Sequence, residues 1–284
     1  MNKIDRNISK IILSALKEDV KTGDITTKAT ISKSKKAIGK FLVKADGIIA
    51  GLEIVKAVFK TVDPKIKFEI KINDGTKVKI GDVAAIVTGK AQSLLTAERT
   101  ALNFLQRMSG IATSANLFAE KVNHTKAKVI DTRKTVPGLR TLDKIAVKLG
   151  GCANHRIGLY DMFLIKDNHI EVAGSITKAV EACVNYNKKH RTKFKIEVET
   201  KNLIEVEEAL KTKADIIMLD NFEVDEMKKA VNLINGKCKV EASGGVNPDT
   251  IKSIAETGVD YISVGALTHS VKALDISLEI VLLK

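Results

Sequence analysis

Four short apolar runs in the second half of the chain indicate its fold class: KIEVE (195–199), DIIMLD (215–220), KVEAS (239–243) and DYISVG (260–265). They begin 20 to 24 residues apart, a spacing typical of compact β/α units in a parallel barrel. Two earlier runs, KVIDT (128–132) and MFLIK (162–166), have the same character. Since a complete barrel has eight strands, the sequence predicts an α/β fold with an incomplete (β/α) barrel, unless residues 135–160 hold further strands.

The ends of these six runs carry polar side chains and one glycine: Asp131, Lys166, Glu199, Asp220, Ser243 and Gly265. In a parallel barrel the carboxyl ends of all strands face one mouth, where catalytic groups gather. A single polar residue after a strand is ordinarily a helix cap. Five such residues, with a lysine opposite carboxylates, favour an active site at the mouth.

The first third of the chain has a different pattern, which predicts an N-terminal α+β open-sheet sandwich domain. Residues 36–90 consist largely of short β segments around one amphipathic helix near 51–60, and an open sheet must cover its apolar face with helices. Residues 2–19 supply one such helix, with five apolar side chains on one face: Ile4, Ile8, Ile11, Ile12 and Leu16.

The predicted boundary between the two domains lies near residue 110. A helical stretch from about 93 to 122, with a break expected near Ser109-Gly110, leads out of the N-terminal domain of residues 1–110. The barrel domain is expected to span 111–271. The C-terminal tail of about 272–284 is a candidate to pack on the N-terminal domain.

The net charge of the chain points to an anionic partner or substrate. Of 284 residues, 47 are Lys or Arg and 34 are Asp or Glu, which gives +13. Residues 126–170 hold nine Lys or Arg and four Asp, a net +5 where even spreading would give about +2. The basic run of Lys188, Lys189, Arg191, Lys193 and Lys195, by contrast, reads as a solvated helix end and loop.

Several classes of protein are disfavoured by composition. The three cysteines form no CxxC pair, and the five histidines have no zinc spacing, so buried thiols and no zinc are expected. No run of about 18 apolar residues and no signal-peptide pattern occurs, so no membrane partner and a cytoplasmic location are expected. With no Trp and 4% aromatic residues, nucleic-acid binding is a weak alternative.

Cations cluster in loops that follow predicted strands. DTRKTVPGLR (131–140) places Arg133 and Lys134 side by side, Asn154-His155-Arg156 adds two more basic groups, and Lys166 ends an apolar run. Arginine forks bind carboxylates bidentately and lysine is a compact charge suited to phosphate. The pattern predicts a dicarboxylate or phosphorylated substrate. A barrel aldolase with Lys166 as a Schiff base is a second enzyme reading.

Two glycine loops and two carboxylates complete the candidate site. ASGGVN (242–247) and SVGALTHS (263–270) follow the last two strands, where many barrels bind phosphate through backbone amides, although tight turns explain a glycine pair equally well. Glu199 and Asp220 are suited to Mg²⁺, to sugar hydroxyls or to positive charge on a reacting carbon. They could also be salt-bridge partners of nearby lysines.

Seven motifs together resemble the carboxylating nicotinate-nucleotide pyrophosphorylases, also called quinolinate phosphoribosyltransferases: LLTAERTALNFLQRMSGIAT (94–113), DTRKTVPGLR (131–140), NHRIGLYDMFLIKDNHI (154–170), IEVET (196–200), MLDNF (218–222), EASGGV (241–246) and ISVGALTHS (262–270). The resemblance extends from GDIT near residue 23 almost to the C-terminus. It implies that quinolinate and 5-phosphoribosyl 1-pyrophosphate are converted to nicotinate mononucleotide, pyrophosphate and carbon dioxide, for de novo NAD synthesis.

The resemblance also implies roles for individual residues. The quinolinate carboxylates would be bound by Arg133, His155, Arg156, Lys166 and, from the neighbouring subunit of a homodimer, Arg99. The phosphoribosyl substrate would be bound by Lys134, Glu199, Asp220, Ser243, Gly244, Gly265, Ala266 and His269. Lys166, Glu199 and Asp220 would be catalytic, and Glu199 and Asp220 would hold Mg²⁺ directly or indirectly. Further assembly of dimers into a hexamer is left open.

The departures from the family pattern are Val136, Ile145 and Cys152, none of which removes a charged contact. A paralogous group associated with molybdenum transport shares much of the pattern and is the runner-up. No covalent intermediate is implied.

Overall fold

The computed structural model describes residues 5–283, which form two compact units. The first unit comprises residues up to Asn116, Thr135–Gly151 and the segment from Thr268. The second comprises Leu117–Lys134 and Cys152–Leu267. The domain limits expected from the sequence stay predictions. Ile4 lies outside the described residues.

The helices and strands of the first unit include those of residues 36–90. In chain order the described elements up to residue 122 are α1 (Arg6–Val20), α2 (Ile25–Thr30), β1 (Lys36–Val43), β2 (Gly47–Ile48), α3 (Leu52–Val62), β3 (Lys67–Ile70), β4 (Lys77–Val78), β5 (Val83–Lys90) and α4 (Ala91–Val122).

The elements after α4 mostly alternate between strands and helices. They are β6 (Lys128–Ile130), α5 (Arg140–Leu149), β7 (Phe163–Ile165), α6 (Asp167–Ala173), α7 (Ile176–His190), β8 (Ile196–Thr200), α8 (Leu203–Ala209), β9 (Ile216–Asp220), α9 (Val224–Ile234), β10 (Lys239–Ser243), α10 (Ile251–Ala255), β11 (Tyr261–Ser263), α11 (Ala266–His269) and β12 (Ile276–Leu282). All of them except α5, β12 and the end of α11 belong to the second unit. Among the described residues, no helix combines the length and apolar character needed to cross a membrane.

An antiparallel sheet organises the first unit, with strand order β12-β1-β5-β3. Buried and less buried side chains alternate along β1, as expected of a strand with one face on a core. Phe41, Phe59 and Phe68 pack there with ring centroids 5.9–6.0 Å apart. The last described strand, β12, pairs with β1 from Ala37 to Val43.

The predicted helices of this unit are present. Asp5 caps α1 by accepting a hydrogen bond from the Asn7 N–H at 2.6 Å. Of the predicted apolar face, Ile8, Ile12 and Leu16 are buried and Ile11 is half-buried. The helix expected near 51–60 is α3, and the Asp74 carboxylate accepts hydrogen bonds from the N–H groups of Gly51, its N-cap residue, and Leu52, its first residue.

The break predicted near Ser109-Gly110 is wrong, because α4 runs without interruption from Ala91 to Val122. Glycine has another purpose here. A Cβ on Gly110 would lie 2.2 Å from the backbone oxygen of Lys272, so only glycine allows this close approach. The Ser109 hydroxyl accepts a hydrogen bond from the Ala50 N–H at 3.0 Å, which ties the helix to the chain beside α3.

A buried ion pair joins α4 to α5 within the first unit. The Arg107 Nε and Nη2 groups donate to the two carboxylate oxygens of Asp143 at 3.0 and 2.8 Å, and Asp143 is fully buried. Two parallel hydrogen bonds of this type fix both distance and orientation. The helix of residues 140–149 is thereby bound to the longest helix of the chain.

The second unit contains the barrel strands predicted from the sequence. All six apolar runs form strands of one parallel sheet, in the order β6-β11-β10-β9-β8-β7. Within 135–160, the described residues form α5 and a single bridge between Ile130 and Ala153, and no further strand. The incomplete α/β barrel with a separate antiparallel sheet is therefore confirmed.

Removal of the Asp143 carboxylate tests the importance of the buried ion pair. We expect Asp143→Ala to lower the apparent free energy of unfolding by about 3 kcal/mol, because the Arg107 charge is left without its partner. The measurement is a urea titration followed by circular dichroism. Asp225→Ala is the control: Asp225 pairs with Lys228 on the surface, so a loss below about 0.5 kcal/mol is expected. Equal losses would contradict this account.

Candidate active site

Strand alternation places a line of polar side chains on one face of the second unit's sheet. Since successive residues of a strand point to opposite faces, Glu197 and Glu199 of β8 share a face, as do Glu241 and Ser243 of β10. The register pairs Glu199 with Met218 and Ser243 with Asp220. The carboxyl ends of β8, β9 and β10 therefore bring Glu199, Asp220 and Ser243 to the same edge.

Lys166 follows β7, the strand beside β8, and lies close to the predicted carboxylates. The Lys166 Nζ lies 3.5 Å from Glu199 Oε2. Burial raises the pKa of Glu199; the nearby Lys166 charge lowers it, and the Asp220 charge raises it. Lys166 thus forms an ion pair with Glu199, and Asp220 lies close enough to Glu199 to raise its pKa.

A pair of arginines provides a strongly positive region in the same unit. Burial lowers the pKa of Arg156, and the charge of nearby Arg133 lowers it further. The Arg156 Nη1 donates to the carbonyl oxygen of Met162 at 3.1 Å, which holds the guanidinium in place. Two guanidinium groups whose charges influence each other are suited to an anion with more than one charged oxygen. Lys134 follows Arg133 and is exposed.

Asp131 follows the carboxyl end of β6, as the sequence predicts, and its side chain is fully buried. Its carboxylate accepts hydrogen bonds from the Asn154 side-chain amide at 2.6 Å and from the His155 N–H at 2.9 Å. These bonds fix the loop that carries His155 and Arg156. Asp131 therefore stabilises this loop, a role that its position after a strand does not by itself reveal.

Three ionisable residues lie together inside the unit, and sequence reasoning had assigned a role to only one of them. His155 Nε2 lies 2.9 Å from Glu197 Oε2 and 3.6 Å from Glu241 Oε2. Burial raises the pKa of Glu197 to about 7 and that of Glu241 well above its usual range. The signal that could have revealed the glutamates is their position two residues before Glu199 and Ser243, on the same face of a strand.

The glycine loop after β10 has the conformation that a close backbone approach requires. Gly244 and Gly245 have φ values of +97° and +59°, a region that side chains disfavour. A Cβ on Gly244 would lie 2.1 Å from the Asn221 side-chain oxygen. The second loop leads from β11 through Gly265 into the short helix α11, which begins at Ala266.

The predicted site residues are divided between the two units. The second unit holds Arg133, Lys134, His155, Arg156, Lys166, Glu199, Asp220, Ser243, Gly244, Gly265 and Ala266. Arg99, on α4, and His269, at the end of α11, belong to the first unit and are both exposed. The His269 Nδ1 lies 2.7 Å from the Ser270 hydroxyl.

The cysteines offer no nucleophile at this site. Cys152 is buried, and burial together with the Asp131 charge raises the pKa of its thiol to about 12, which leaves almost no reactive thiolate at neutral pH. Cys183 and Cys238 are partly exposed, so the expectation that all three are buried is wrong for these two. Burial raises the pKa of each thiol as well.

The donor set suits magnesium better than a softer metal. Glu199 and Asp220 are neighbouring carboxylates at the strand ends, and Mg²⁺ is commonly bound by one or two carboxylates together with substrate phosphates. A cluster of His155, Glu197 and Glu241, whose ligand atoms lie within 4.8 Å of one another, is the metal-type group found among the described residues. It is buried beneath the strand ends.

The fold and the site define an α/β-barrel enzyme for substrates with several negative charges. Residues 24–109 and 111–279 match the N-terminal and C-terminal domains of quinolinate phosphoribosyl transferase, respectively. The chain belongs to the quinolinate phosphoribosyltransferase family.

Relatives and solved structures agree with this assignment. The chain is 47% identical over 290 residues to quinolinate phosphoribosyltransferase [decarboxylating] 1b of Nicotiana tabacum, covering 96% of this chain and 82% of that protein. It is 42% identical to a probable nicotinate-nucleotide pyrophosphorylase [carboxylating] of Synechocystis, covering 94% and 90%. NadC from Streptococcus pyogenes superimposes with a TM-score of 0.94 at 37% identity, covering all of both chains.

A matched pair of glycine substitutions tests the close approach at Gly244. Gly236 also has a positive φ, +74°, but a Cβ there would meet nothing within 4 Å. We expect Gly236→Ala to cost about 1 kcal/mol, the penalty for a left-handed alanine. Gly244→Ala must also displace Asn221, so it should cost more. Urea titrations of the two variants measure the difference, and equal costs would show that the loop adjusts freely.

Proposed function

We propose that this chain condenses quinolinate with 5-phosphoribosyl 1-pyrophosphate and releases nicotinate mononucleotide, pyrophosphate and carbon dioxide, a step of de novo NAD synthesis. One observation carries the proposal: the second unit holds both a set of cations, Arg133, Arg156 and Lys166, and a pair of carboxylates, Glu199 and Asp220. The cations are suited to bind a dicarboxylate, and the carboxylates are suited to stabilise positive charge on a reacting sugar carbon.

The cations bind and orient quinolinate in this proposal. Arg133 and Arg156 would bind one carboxylate-bearing ring together, since the charge of Arg133 lowers the pKa of Arg156, and Lys166 extends from the end of β7 with half of its side chain exposed. Bidentate contacts of this kind fix the plane of the ring as well as its position. The pyridine nitrogen can then be aimed at the ribose carbon.

The carboxylates act on the ribose in the same proposal. As the bond to pyrophosphate breaks, positive charge develops on the ribose carbon, and Glu199 and Asp220 stabilise it by their negative charges. Glu199 and Asp220 would hold Mg²⁺ directly or indirectly, and the ion would supply positive charge to offset that of the departing pyrophosphate. The 5-phosphate would bind backbone N–H groups of Ser243, Gly244, Gly265 and Ala266, with the Lys134 ammonium and the His269 side chain as further contacts.

Decarboxylation needs no additional catalytic group. Once the ring nitrogen carries the ribosyl group it is positively charged, so the carbon beside it can release its carboxylate as carbon dioxide and hold the electron pair until it takes up a proton from water, which gives nicotinate mononucleotide. Arg133, Arg156 and Lys166 balance the negative charge that remains on the ring. A homodimer in which Arg99 reaches the partner's site, with or without assembly into a hexamer, is part of the proposal. Cytoplasmic location stays a prediction.

Release of labelled carbon dioxide tests the reaction directly. The protein is mixed with quinolinate labelled in its 2-carboxyl group, 5-phosphoribosyl 1-pyrophosphate and Mg²⁺, and labelled carbon dioxide is counted. We expect Lys166→Ala to lower kcat/KM by roughly a hundredfold or more, because a charge at the reacting centre is lost. Lys193→Ala, an exposed lysine of the basic run, should leave the rate unchanged. An inactive wild-type protein would overturn the proposal.

Mixing two inactive variants tests the shared site. If Arg99 serves the neighbouring subunit, Arg99→Ala and Lys166→Ala should each be inactive alone, and heterodimers should contain one intact site. We expect up to about a quarter of wild-type activity after equal mixing and subunit exchange, since half of the dimers are mixed and each has one complete site. Fluorescence exchange between labelled subunits confirms mixing. No recovery despite exchange would contradict the shared site.

A further inference from the structure

Residues 154–162, which lead from the Ile130–Ala153 bridge to β7, belong to no helix or strand. Within the described part of the chain, neither Arg156 nor any of residues 158–162 forms a backbone–backbone hydrogen bond. The N–H groups of residues 155–158 instead all donate to side chains. The path of the chain around Arg156 is therefore fixed by side chains and not by a helix or a strand.

Asp161 supplies two of these side-chain acceptors. Its Oδ2 accepts a hydrogen bond from the Ile157 N–H at 2.7 Å, and its Oδ1 accepts one from the Gly158 N–H at 2.9 Å. Gly158 is buried, and a buried N–H without an acceptor is costly. Each carboxylate oxygen thus binds one of two consecutive peptide groups, which requires a side chain with two acceptor oxygens.

The Asp161 side chain is ionised at neutral pH. Burial raises the pKa of Asp161, but the hydrogen bonds from the Ile157 and Gly158 N–H groups and the charge of Arg156 lower it, and the pKa is below its ordinary value. The carboxylate therefore acts only as an acceptor. An asparagine at this position would keep one acceptor oxygen and turn its NH₂ group toward the other backbone N–H.

The same loop holds the guanidinium group of Arg156. Its Nη1 donates to the carbonyl oxygen of Met162, the residue directly after Asp161. This is the guanidinium's only hydrogen bond among the residues that the structure describes, and it forms no ion pair with them. The carbonyl is neutral, so it anchors the guanidinium and leaves the charge and the remaining donors for a bound anion.

We propose that Asp161 is a positioning residue for quinolinate binding: it fixes the two peptide groups that follow Arg156 and the loop that brings the Met162 carbonyl to the guanidinium. This inference rests on the proposed function for the identity of the ligand. Asp161 acts through Arg156, and the roles proposed for Arg156 and His155 in binding quinolinate are unchanged. The sequence assigns Asp161 no role, because the path of the loop decides which groups its carboxylate meets.

Kinetics of Asp161 variants test the positioning role. We expect Asp161→Ala to raise the KM for quinolinate roughly tenfold, because Arg156 is less well placed, with kcat and the KM for 5-phosphoribosyl 1-pyrophosphate changed less than about threefold. Asp161→Asn, which keeps one acceptor oxygen, should lie between Asp161→Ala and the wild type. The control is Asp225→Asn, which alters a surface pair with Lys228 and should leave all three constants unchanged.

A double-mutant cycle tests whether Asp161 acts through Arg156. Arg156→Lys keeps a positive charge but loses the planar fork. In that background we expect Asp161→Ala to raise the KM for quinolinate less than about threefold, since the guanidinium that it positions is gone. A roughly tenfold rise in both backgrounds would show a general structural role and overturn the inference. If turnover of Arg156→Lys is too slow, equilibrium dialysis with labelled quinolinate gives the same comparison.

Amide hydrogen exchange tests the loop without any assay of activity. The chain has three Ile-Gly pairs, so labelling with ¹³C-carbonyl isoleucine and ¹⁵N-glycine selects the amides of Gly39, Gly81 and Gly158. We expect Asp161→Ala to speed the exchange of the Gly158 amide about tenfold or more, because its acceptor is removed. Gly39 and Gly81 belong to the first unit and serve as internal controls that should not change. An unchanged Gly158 amide would overturn the inference.

The outcomes separate the two proposals. An inactive wild-type protein overturns the function and the ligand named here, and the exchange of the Gly158 amide then shows whether Asp161 fixes the loop. With an active wild-type protein, the inference is overturned if Asp161→Ala leaves the KM for quinolinate unchanged or raises both KM values equally. Should Asp161→Ala fail to fold, Asp161→Asn takes its place in the kinetics, in the cycle and in the exchange measurement.

Discussion

The parallel register of β8, β9 and β10 is the constraint on which the site depends. Backbone hydrogen bonds place Glu199 beside Met218 and Asp220 beside Ser243, so side chains distant in sequence end at one edge. Lys166 at the end of β7 then reaches Glu199 at 3.5 Å. A shift of one residue in any of these strands would turn its polar side chains to the other face of the sheet, and the site residues would no longer lie together.

The same alternation that brings Glu199 and Ser243 to the strand ends also buries Glu197 and Glu241 one step deeper. Barrel interiors are usually filled by branched apolar residues, and buried charges are costly unless they are paired. Here His155 Nε2 lies 2.9 Å from Glu197 and 3.6 Å from Glu241, and burial raises the pKa of both carboxyl groups, which favours their uncharged form. The first unit handles a buried charge differently, since Asp143 is paired with the permanently charged Arg107. In both units the buried polar groups fix a segment of backbone or a helix that packing alone would leave free to shift.

Much of the fold could be predicted from local pattern. All six barrel strands, α1 and α3 follow from periodicity, because alternation and helical spacing are properties of neighbouring residues. The predicted break at Gly110 was wrong because the reason for this glycine is not local. It allows close approach to the backbone of Lys272, more than 160 residues away in the chain. Asp131 follows a strand as predicted, but its hydrogen bonds with Asn154 and His155 depend on a loop whose path no local pattern reveals.

The sequence by itself determined the strands, the positive charge of residues 126–170, the family and the residue types of the candidate site, since each of these is written in composition or in contiguous motifs. Only the tertiary structure decided which groups meet: Lys166 with Glu199, Arg156 with Arg133, and His155 with two glutamates. The physical reason is that an ion pair or a hydrogen bond depends on distances of a few ångströms between side chains. Strand register and loop path set those distances, and spacing along the chain does not.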